Sequence, residues 1–215
     1  MALGAVGIGA MCRQRRTVAL PDVFLIGDSI RMGYQEAVRR ELQDVATVLG
    51  PEVNGGHSVN VLMHLHLWVL NRKPQPAVVH LNTGLHDIKT IYYGSRTPLV
   101  PIAHYRENLR TLLGTLQQRT SCKLVFATTT PVIDDVANRQ HAQWQDFCRF
   151  NSDVVAYNEV AVAVCQEFGV PVNDLYALVQ QHGAAQLQSG DGVHFSPMGC
   201  EVLGKAVALA VRSML

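Results

Sequence analysis

Short apolar runs alternate along this chain with longer stretches in which apolar residues recur at helical spacing. This alternation predicts strands and helices that follow one another, because buried parallel strands read as continuous apolar runs and are joined by helices. The predicted strands are Asp22–Gly27, Val45–Gly50, Ala77–Asn82, Lys123–Thr129 and Val170–Asn173. The predicted helices are Arg31–Gln43, Val59–Asn71, Ile102–Arg119, Asp153–Phe168 and Pro197–Met214. The pattern therefore indicates a parallel sheet that is covered by helices on both faces.

The fold class that follows is α/β, a three-layer α/β/α sandwich around a five-stranded parallel sheet. The flavodoxin-like strand order 2-1-3-4-5 is the expected topology. The chain has 215 residues, of which 48% are hydrophobic and 16% are charged. This size and composition suit one domain with a large core and argue against disorder. We therefore expect a single domain over residues 21–215.

The first 20 residues stand apart from this pattern. They are small and apolar as far as Met11, and Arg13, Arg15 and Arg16 follow. A secretory signal peptide carries its positive charge before the apolar stretch, not after it. We therefore expect residues 1–20 to form a poorly ordered extension, with an atypical export signal as the alternative.

Several classes of partner and cofactor are disfavoured by the composition. The formal net charge of +1 gives no strong attraction to nucleic acid or to an anionic membrane, and no uncharged apolar run is long enough to span a bilayer. Five cysteines without a CxxC pair argue against a disulfide framework and against a zinc site, and they favour a cytoplasmic location. No HExxH, GxxxxGK[ST] or GxGxxG motif is present, so we expect no metal and no cofactor. The oligomeric state is left open.

The motif Gly27-Asp28-Ser29 follows directly on the apolar run Val23–Ile26. A strand that turns here into a helix would place the hydroxyl of Ser29 at the sheet edge and its amide at a helix N-terminus, where negative charge is favoured. Ser29 is therefore the candidate nucleophile. A simple helix N-cap is the alternative reading of the same serine.

The motif Asp191-Gly192-Val193-His194 supplies the two other groups that a nucleophilic serine needs. A serine hydroxyl requires a general base, and the base requires a carboxylate that orients its ring. We therefore expect His194 to be the base and Asp191 to orient it. Ser196 as N-cap and Pro197 at the first helical position would start the last helix and hold this loop in place.

Together these two motifs resemble the SGNH hydrolases, also called GDSL-type esterases and lipases. The first block of that family is GDS after the first strand, its last block is DxxH near the C-terminus, and the resemblance covers the chain from about Val23 to the end. The resemblance implies hydrolysis of a small-molecule carboxylic ester through an acyl-serine intermediate, without a cofactor.

The same resemblance implies an oxyanion hole that combines the amide of Ser29 with a glycine amide after the second strand. Gly55 is the chosen donor, and Gly56 is the alternative one position later. Asn54, which precedes Gly55, is a possible accessory residue. Asp28 is a second one, expected mainly to bond loop amides near the nucleophile.

The third block departs from the usual GxND pattern, because the chain reads Asn82-Thr83-Gly84-Leu85-His86-Asp87. His86 stands where the family has its asparagine, and it resembles a branch with an N-x-G-L-H-D block. We expect His86 to be the third oxyanion donor, with Asn82 as the alternative and Asp87 as a brace of the loop. A histidine here would add a second pH dependence if it gained charge.

The resemblance leaves the natural substrate open. Short acyl groups, with acetyl on a carbohydrate first, are expected by analogy with the family. The predicted loops Lys89–Pro101 and Pro131–Asn151 leave the carboxyl ends of strands and would shape the pocket. A thioesterase or acyltransferase with the same triad, or a catalytically silent ligand-binding domain, are the other interpretations.

Overall fold

Five parallel strands form one sheet in the order β2-β1-β3-β4-β5 in the computed structural model, which describes residues 19–90, 96–143 and 147–215. The strands are β1 Asp22–Ile26, β2 Thr47–Leu49, β3 Val78–Leu81, β4 Lys123–Ala127 and β5 Val172–Asn173. Each lies inside the corresponding predicted strand. The predicted fold class and strand order are therefore confirmed.

The strands at the centre of the sheet are nearly continuous apolar runs, which favour burial on both faces. β1 pairs with both β2 and β3, with Val23 opposite Val48 on one side and opposite Val78 on the other. All four residues of β3 are buried, as expected for a parallel strand that helices cover on both faces. The sheet thus carries the core, and its carboxyl edge is left to loops.

Five of the eight α-helices among the described residues form two packed groups. α1 packs against α8, and α3 packs against α2 and α5, so the helices form the two outer layers. The helices are α1 Ser29–Leu42, α2 Ser58–Leu65, α3 Ile102–Arg119, α4 Asp134–Ala142, α5 Asn151–Glu167, α6 Leu175–His182, α7 Ala184–Leu187 and α8 Pro197–Arg212.

Two differences from the predicted helices have local causes. The predicted helix Val59–Asn71 is divided, because α2 ends at Leu65 and a π-helical turn follows over His66–Leu70, where the amide of Asn71 donates to the carbonyl of His66. α4 lies inside a segment that was expected to be a loop. Its sequence has no repeating apolar face, and it is favoured instead by two carboxylates at its positive N-terminal end. α6 and α7 were not predicted.

Part of the sequence-based prediction falls on residues outside the described ranges. Residues 1–18 of the predicted extension are outside them, so the division between residues 1–20 and 21–215 stays a prediction, as does the cytoplasmic location. The predicted loops Lys89–Pro101 and Pro131–Asn151 are described except at residues 91–95 and 144–146. Within the described ranges, no helix is both long and apolar enough to cross a membrane.

Candidate active site

Ser29 lies where β1 ends and α1 begins. Asp28 is the N-cap of α1, and its Oδ1 accepts a hydrogen bond from the amide of Ile30 at 2.9 Å. The turn is tight at Gly27, because a Cβ there would lie 2.6 Å from the Cβ of Arg31. Ser29 is therefore the first residue of the helix, half-buried at the carboxyl edge of the sheet, and the N-cap role belongs to Asp28.

The loop that contains Asp191 and His194 is held from both sides. The amide of Ile133 donates to the carbonyl of Gly192 at 2.9 Å, which ties the loop to the start of α4. On the other side, Ser196 caps α8 by accepting from the amide of Gly199 at 3.1 Å, and its hydroxyl donates to the carbonyl of Leu187. The predicted cap at Ser196 is confirmed, and it fixes the chain two residues after His194.

These elements bring Ser29, Asp191 and His194 together. His194 Nε2 lies 2.8 Å from Ser29 Oγ, and His194 Nδ1 lies 2.6 Å from Asp191 Oδ2. Both distances are those of hydrogen bonds, and the imidazole links the hydroxyl to the carboxylate through its two nitrogens. This arrangement can move the serine proton to His194 while Asp191 keeps the ring in the required tautomer.

The carboxylate of Asp191 is held in its charged form. Partial burial would raise its pKa, but hydrogen bonds from the His194 ring, the amides of Val193 and His194, and the hydroxyl of Ser189 outweigh burial and keep the pKa well below its usual range. The hydrogen bonds from the backbone amides of Val193 and His194 to Asp191 Oδ1 measure 2.9 and 2.8 Å. A carboxylate of this kind stabilises the imidazolium that would form at His194.

Gly55, the oxyanion donor chosen from the sequence, has its amide engaged elsewhere. The Gly55 amide donates to the carbonyl of Gly27 at 3.0 Å, and a Cβ on Gly55 would lie 2.6 Å from that same oxygen. The choice of Gly55 is therefore wrong, because its amide is used to pack the turn after β2 against the turn after β1. The need for glycine here is steric.

Gly56, the alternative, has the more available amide. This amide donates to Oδ1 of the exposed Asn54 at 2.8 Å, within the turn that precedes α2, and Gly56 has φ +63°. An exposed side chain is a partner that an oxyanion can replace, whereas the Gly27 carbonyl is part of the backbone packing. Asn54 therefore acts on Gly56 rather than directly on the site.

His86 lies near His194, the predicted base. Its ring interacts electrostatically with His194 and His57, and among the described residues it has no hydrogen-bond partner. Burial, together with the positive charges of Lys89 and Arg149, lowers its pKa to about 3. His86 is thus a neutral imidazole near neutrality, with one N–H donor and one acceptor nitrogen, and the second pH dependence considered from the sequence is not expected.

Asn82, the alternative donor, is turned into the fold. Its Nδ2 donates to the carbonyl of Ala127 at 2.8 Å, and only 9% of the residue is exposed. This bond joins the ends of β3 and β4. Asp87 accepts from the amide of Ser58 at 3.0 Å, from the Ser58 hydroxyl and from the Thr83 hydroxyl, so it braces the loop against the start of α2, as expected from the sequence.

Asp28 lies under the nucleophile as a buried carboxyl group. Only 1% of the residue is exposed, and its Oδ2 has no hydrogen-bond partner among the described residues. Burial raises its pKa, opposed by the Ile30 amide and by the positive charges of Arg149 and Arg31. Its contacts are with the helix start rather than with Ser29 Oγ, which fits the structural role expected for it.

Two residues near the site were not singled out from the sequence. Arg149 is buried, and its Nε donates to the carbonyl of Leu85 at 2.9 Å, directly before His86. His57 is the N-cap of α2, and its Nδ1 accepts from the amide of Asn60 at 3.2 Å. No local pattern marks Arg149, because it reaches the site from a distant loop. For His57, one sequence feature could have indicated a place near the site, namely its position directly after the two glycines.

No set of three or more His, Cys, Asp or Glu side chains that could hold a metal ion occurs in residues 19–90, 96–143 and 147–215. The groups near Ser29 include hydrogen-bond donors and an imidazole whose Nε2 contacts the Ser29 hydroxyl. Such a set can polarise a carbonyl group and transfer a proton.

The chain is similar in sequence to plant esterases. It is 24% identical to the GDSL esterase/lipase CPRD49 of Arabidopsis thaliana over 141 residues, which is 64% of this chain and 55% of that relative. A second Arabidopsis thaliana GDSL esterase/lipase is 24% identical over 208 residues, covering 89% of this chain and 86% of the relative. The chain thus spans about half the length of one relative and most of the other.

Solved structures share its fold. The lipase/acylhydrolase from Enterococcus faecalis superposes with a TM-score of 0.71 at 24% identity, covering 90% of this chain and 96% of that one. Axe2, an acetylxylan esterase from Geobacillus stearothermophilus, gives a TM-score of 0.68 at 18% identity, with 91% and 94% covered. At such identities the likeness shows a common fold.

The family itself is shown by a match over most of the chain. Residues 25–202 match the GDSL-like lipase/acylhydrolase family, and this range includes both motifs on which the resemblance was based. The resemblance and the predicted class of enzyme are therefore confirmed. The chain belongs to the GDSL-like lipase/acylhydrolase family, a family of carboxylic ester hydrolases.

Proposed function

We propose that this protein is a serine esterase that hydrolyses short-chain carboxylic esters through an acyl-Ser29 intermediate. The observation that carries the proposal is the hydrogen-bonded chain from Ser29 Oγ to His194 Nε2, at 2.8 Å, and from His194 Nδ1 to Asp191. A serine hydroxyl is a weak nucleophile until a base removes its proton, and this chain supplies that base in contact.

In the first half of the reaction, His194 Nε2 takes the proton of Ser29 while Oγ attacks the ester carbonyl carbon. The tetrahedral intermediate collapses when the bond to the alcohol oxygen breaks, and His194 returns its proton to that oxygen. The alcohol leaves, and the acyl group stays on Ser29 as an ester. Asp191 remains ionised throughout and stabilises the imidazolium.

In the second half, His194 takes a proton from water, and the resulting hydroxide attacks the acyl carbon. Collapse breaks the bond to Ser29 Oγ, which recovers its proton from His194, and the carboxylic acid is released. Each half transfers one proton out and one proton back, so the enzyme is unchanged after a turnover and no cofactor is consumed.

For the oxyanion that forms in both halves, we assign three donors. They are the amide of Ser29 at the positive end of α1, the amide of Gly56 and the ring N–H of His86. The support is that the Gly56 amide has only the exposed Asn54 side chain as its partner and that burial keeps His86 neutral. Each such donor typically contributes about 3 kcal/mol to transition-state stabilisation.

The proposed substrate is an acetyl or other short acyl ester, with a carbohydrate as the alcohol. Two observations support a polar alcohol. Half of the residues that line a cleft of about 650 Å³ beside the loop after β4 are charged, including Arg96, Asp134 and Arg139. Arg139 also lines a second cleft, of about 330 Å³, that reaches Asp191. The structural likeness to Axe2, an acetylxylan esterase, points to the same class of substrate.

The test is hydrolysis of p-nitrophenyl acetate and of p-nitrophenyl decanoate by the wild type and by Ser29→Ala. We expect the acetate to be preferred and the Ser29→Ala variant to lose at least about 10⁴-fold in kcat, since members of a triad act as a unit. A serine-reactive phosphonate should add once to the wild type, at Ser29, and not to the variant.

The matched control is Ser213→Ala, which removes a hydroxyl at the far end of α8, where it bonds only the carbonyl of Ala210. This variant should keep wild-type turnover and the phosphonate adduct. Equal activity in Ser29→Ala and Ser213→Ala would refute the assignment of the nucleophile. A clear preference for decanoate would refute the short-acyl part alone.

A further inference from the structure

The side chain of His57 is a hydrogen-bond donor with a fixed tautomer. His57 is the N-cap of α2, and its Nδ1 accepts a hydrogen bond from the amide of Asn60 at 3.2 Å. A nitrogen that accepts carries no proton, so in the neutral ring the proton is on Nε2. The helix cap therefore determines which atom of His57 is the donor.

This donor is available to a ligand. No described residue accepts a hydrogen bond from His57 Nε2, and the atom is not among the buried polar atoms that lack a partner. The residue is only half-buried, so Nε2 reaches solvent-accessible space. The ring thus uses one nitrogen to cap α2 and leaves the other open.

His57 lies on a turn that is joined to the turn of Ser29. The turn before His57 is tied to the nucleophile turn through the bond from the Gly55 amide to the Gly27 carbonyl. Directly after His57, the amide of Ser58 donates to Asp87, the neighbour of His86. The ring of His86 interacts electrostatically with His57 on one hand and with His194 on the other. His57 therefore lies close to His86, one of the proposed oxyanion donors.

The surroundings of His57 favour an uncharged acceptor. The sequence from Val53 to Asn71 contains no Asp, Glu, Lys or Arg. Asp87, a carboxylate that interacts electrostatically with His57, is already bonded to Ser58 and Thr83. An N–H donor in a segment that also exposes apolar side chains such as Val53 and Val59 suits a neutral oxygen, for example the hydroxyl or ring oxygen of a sugar.

We propose that His57 is a specificity-determining residue, whose Nε2–H donates a hydrogen bond to a hydroxyl or ring oxygen of the carbohydrate part of an ester substrate. The inference rests on the proposed esterase function and names the group that would recognise its substrate. His57 distinguishes an oxygen-rich ester from a simple one, whereas Ser29, His194 and the oxyanion donors act on both.

The experiment compares an acetylated xylopyranoside with p-nitrophenyl acetate as substrates of the wild type and of His57→Ser. Serine keeps the helix cap, because its hydroxyl can accept from the same amide, but it has no donor at the position of Nε2. We expect the ratio of kcat/KM for the xylopyranoside over that for p-nitrophenyl acetate to fall about tenfold, the effect of one lost hydrogen bond. The variant His57→Asn, which also caps and offers an amide N–H, should recover part of the ratio.

The matched control is His64→Gln on the same helix. His64 bonds the carbonyl of Asn60 and stacks on Trp68, away from the turn that carries the donors, so its replacement should leave the substrate ratio unchanged. Thermal unfolding of each variant shows whether α2 is still in place. A ratio that falls only in the His57 variants, on folded protein, supports the proposal.

The possible failures are distinguishable. If the wild type hydrolyses neither substrate, the proposed esterase function is overturned and this inference with it. If it hydrolyses p-nitrophenyl acetate but not the xylopyranoside, the esterase stands and the inference is overturned. An unchanged ratio of the two kcat/KM values in His57→Ser overturns the inference as well, because His57 would then not contribute to recognition of the carbohydrate. This holds whether the activities on the two substrates are retained or fall together.

Discussion

At the residue scale, the proposed role of His86 as an oxyanion donor depends on its protonation state. An asparagine amide, the usual group at this position, is neutral at every pH. An unshifted imidazole changes its charge close to neutrality, but burial together with Lys89 and Arg149 lowers the pKa of His86 to about 3. The substitution therefore preserves a neutral donor. Its environment, rather than its residue type, makes it equivalent to an amide.

This state predicts the pH dependence of kcat/KM. Between about pH 5 and pH 9 the acid limb should show no ionisation of His86 or of Asp191, because His86 is already neutral and Asp191 is already ionised. His86→Asn should retain activity within about tenfold and the same profile, whereas His86→Ala should lose about 10²–10³-fold in kcat. A second acid ionisation that disappears in His86→Asn would contradict the neutral state.

The roles of side chains that lie in recognisable motifs could be predicted from the sequence. The roles of backbone groups, whose hydrogen-bond partners depend on how distant segments pack, could not. Ser29, Asp191 and His194 could be named because their chemistry and order are visible in two short motifs. The sequence did not show that Gly56, and not Gly55, has the available amide. The Gly55 amide donates to the carbonyl of Gly27, which is far away in the sequence. Two adjacent glycines look alike until that partner is known.

At the element scale, the predicted strands and helices match the structure best where the apolar pattern of the sequence is strongest. β1, β3 and β4 are nearly continuous apolar runs and were located within one or two residues of their ends. α4 has no apolar repeat, so its sequence did not distinguish it from a loop. This helix nevertheless matters to the site, because the carbonyl of Gly192 accepts from the amide of Ile133 at its start.

The contact between the turns after β1 and β2 predicts that Gly55→Ala is harmful in two ways. The added Cβ would lie 2.6 Å from the Gly27 carbonyl oxygen, and backbone must move to admit it. We expect about 1–3 kcal/mol of lost stability by urea unfolding, together with reduced kcat, since Gly27 precedes Ser29 by two residues. Gly190→Ala, where a Cβ meets nothing within 4 Å, is the control and should be near neutral in stability.

At the scale of the whole molecule, the buried strand β3 contains a titratable group that the proposed reaction does not use. His80 in β3 is fully buried, its Nε2 lies 3.3 Å from Asn173 Nδ2 and its Nδ1 has no partner among the described residues. Burial lowers the pKa of His80 to about 4. The neutral ring is compatible with the core, and a protonated ring is not.

Unfolding therefore couples to proton uptake at His80. In the unfolded chain its pKa is about 6.5, above the folded value, so the stability that depends on the neutral ring is present above pH 6.5 and is lost as the pH falls towards 4. The free energy of unfolding should fall by up to about 1.4 kcal/mol per pH unit for this one proton. Urea unfolding at several pH values measures the slope. His80→Leu should flatten it, and His182→Gln, which replaces an exposed histidine, should not. An equal slope in wild type and His80→Leu would show that His80 is not the group that takes up the proton.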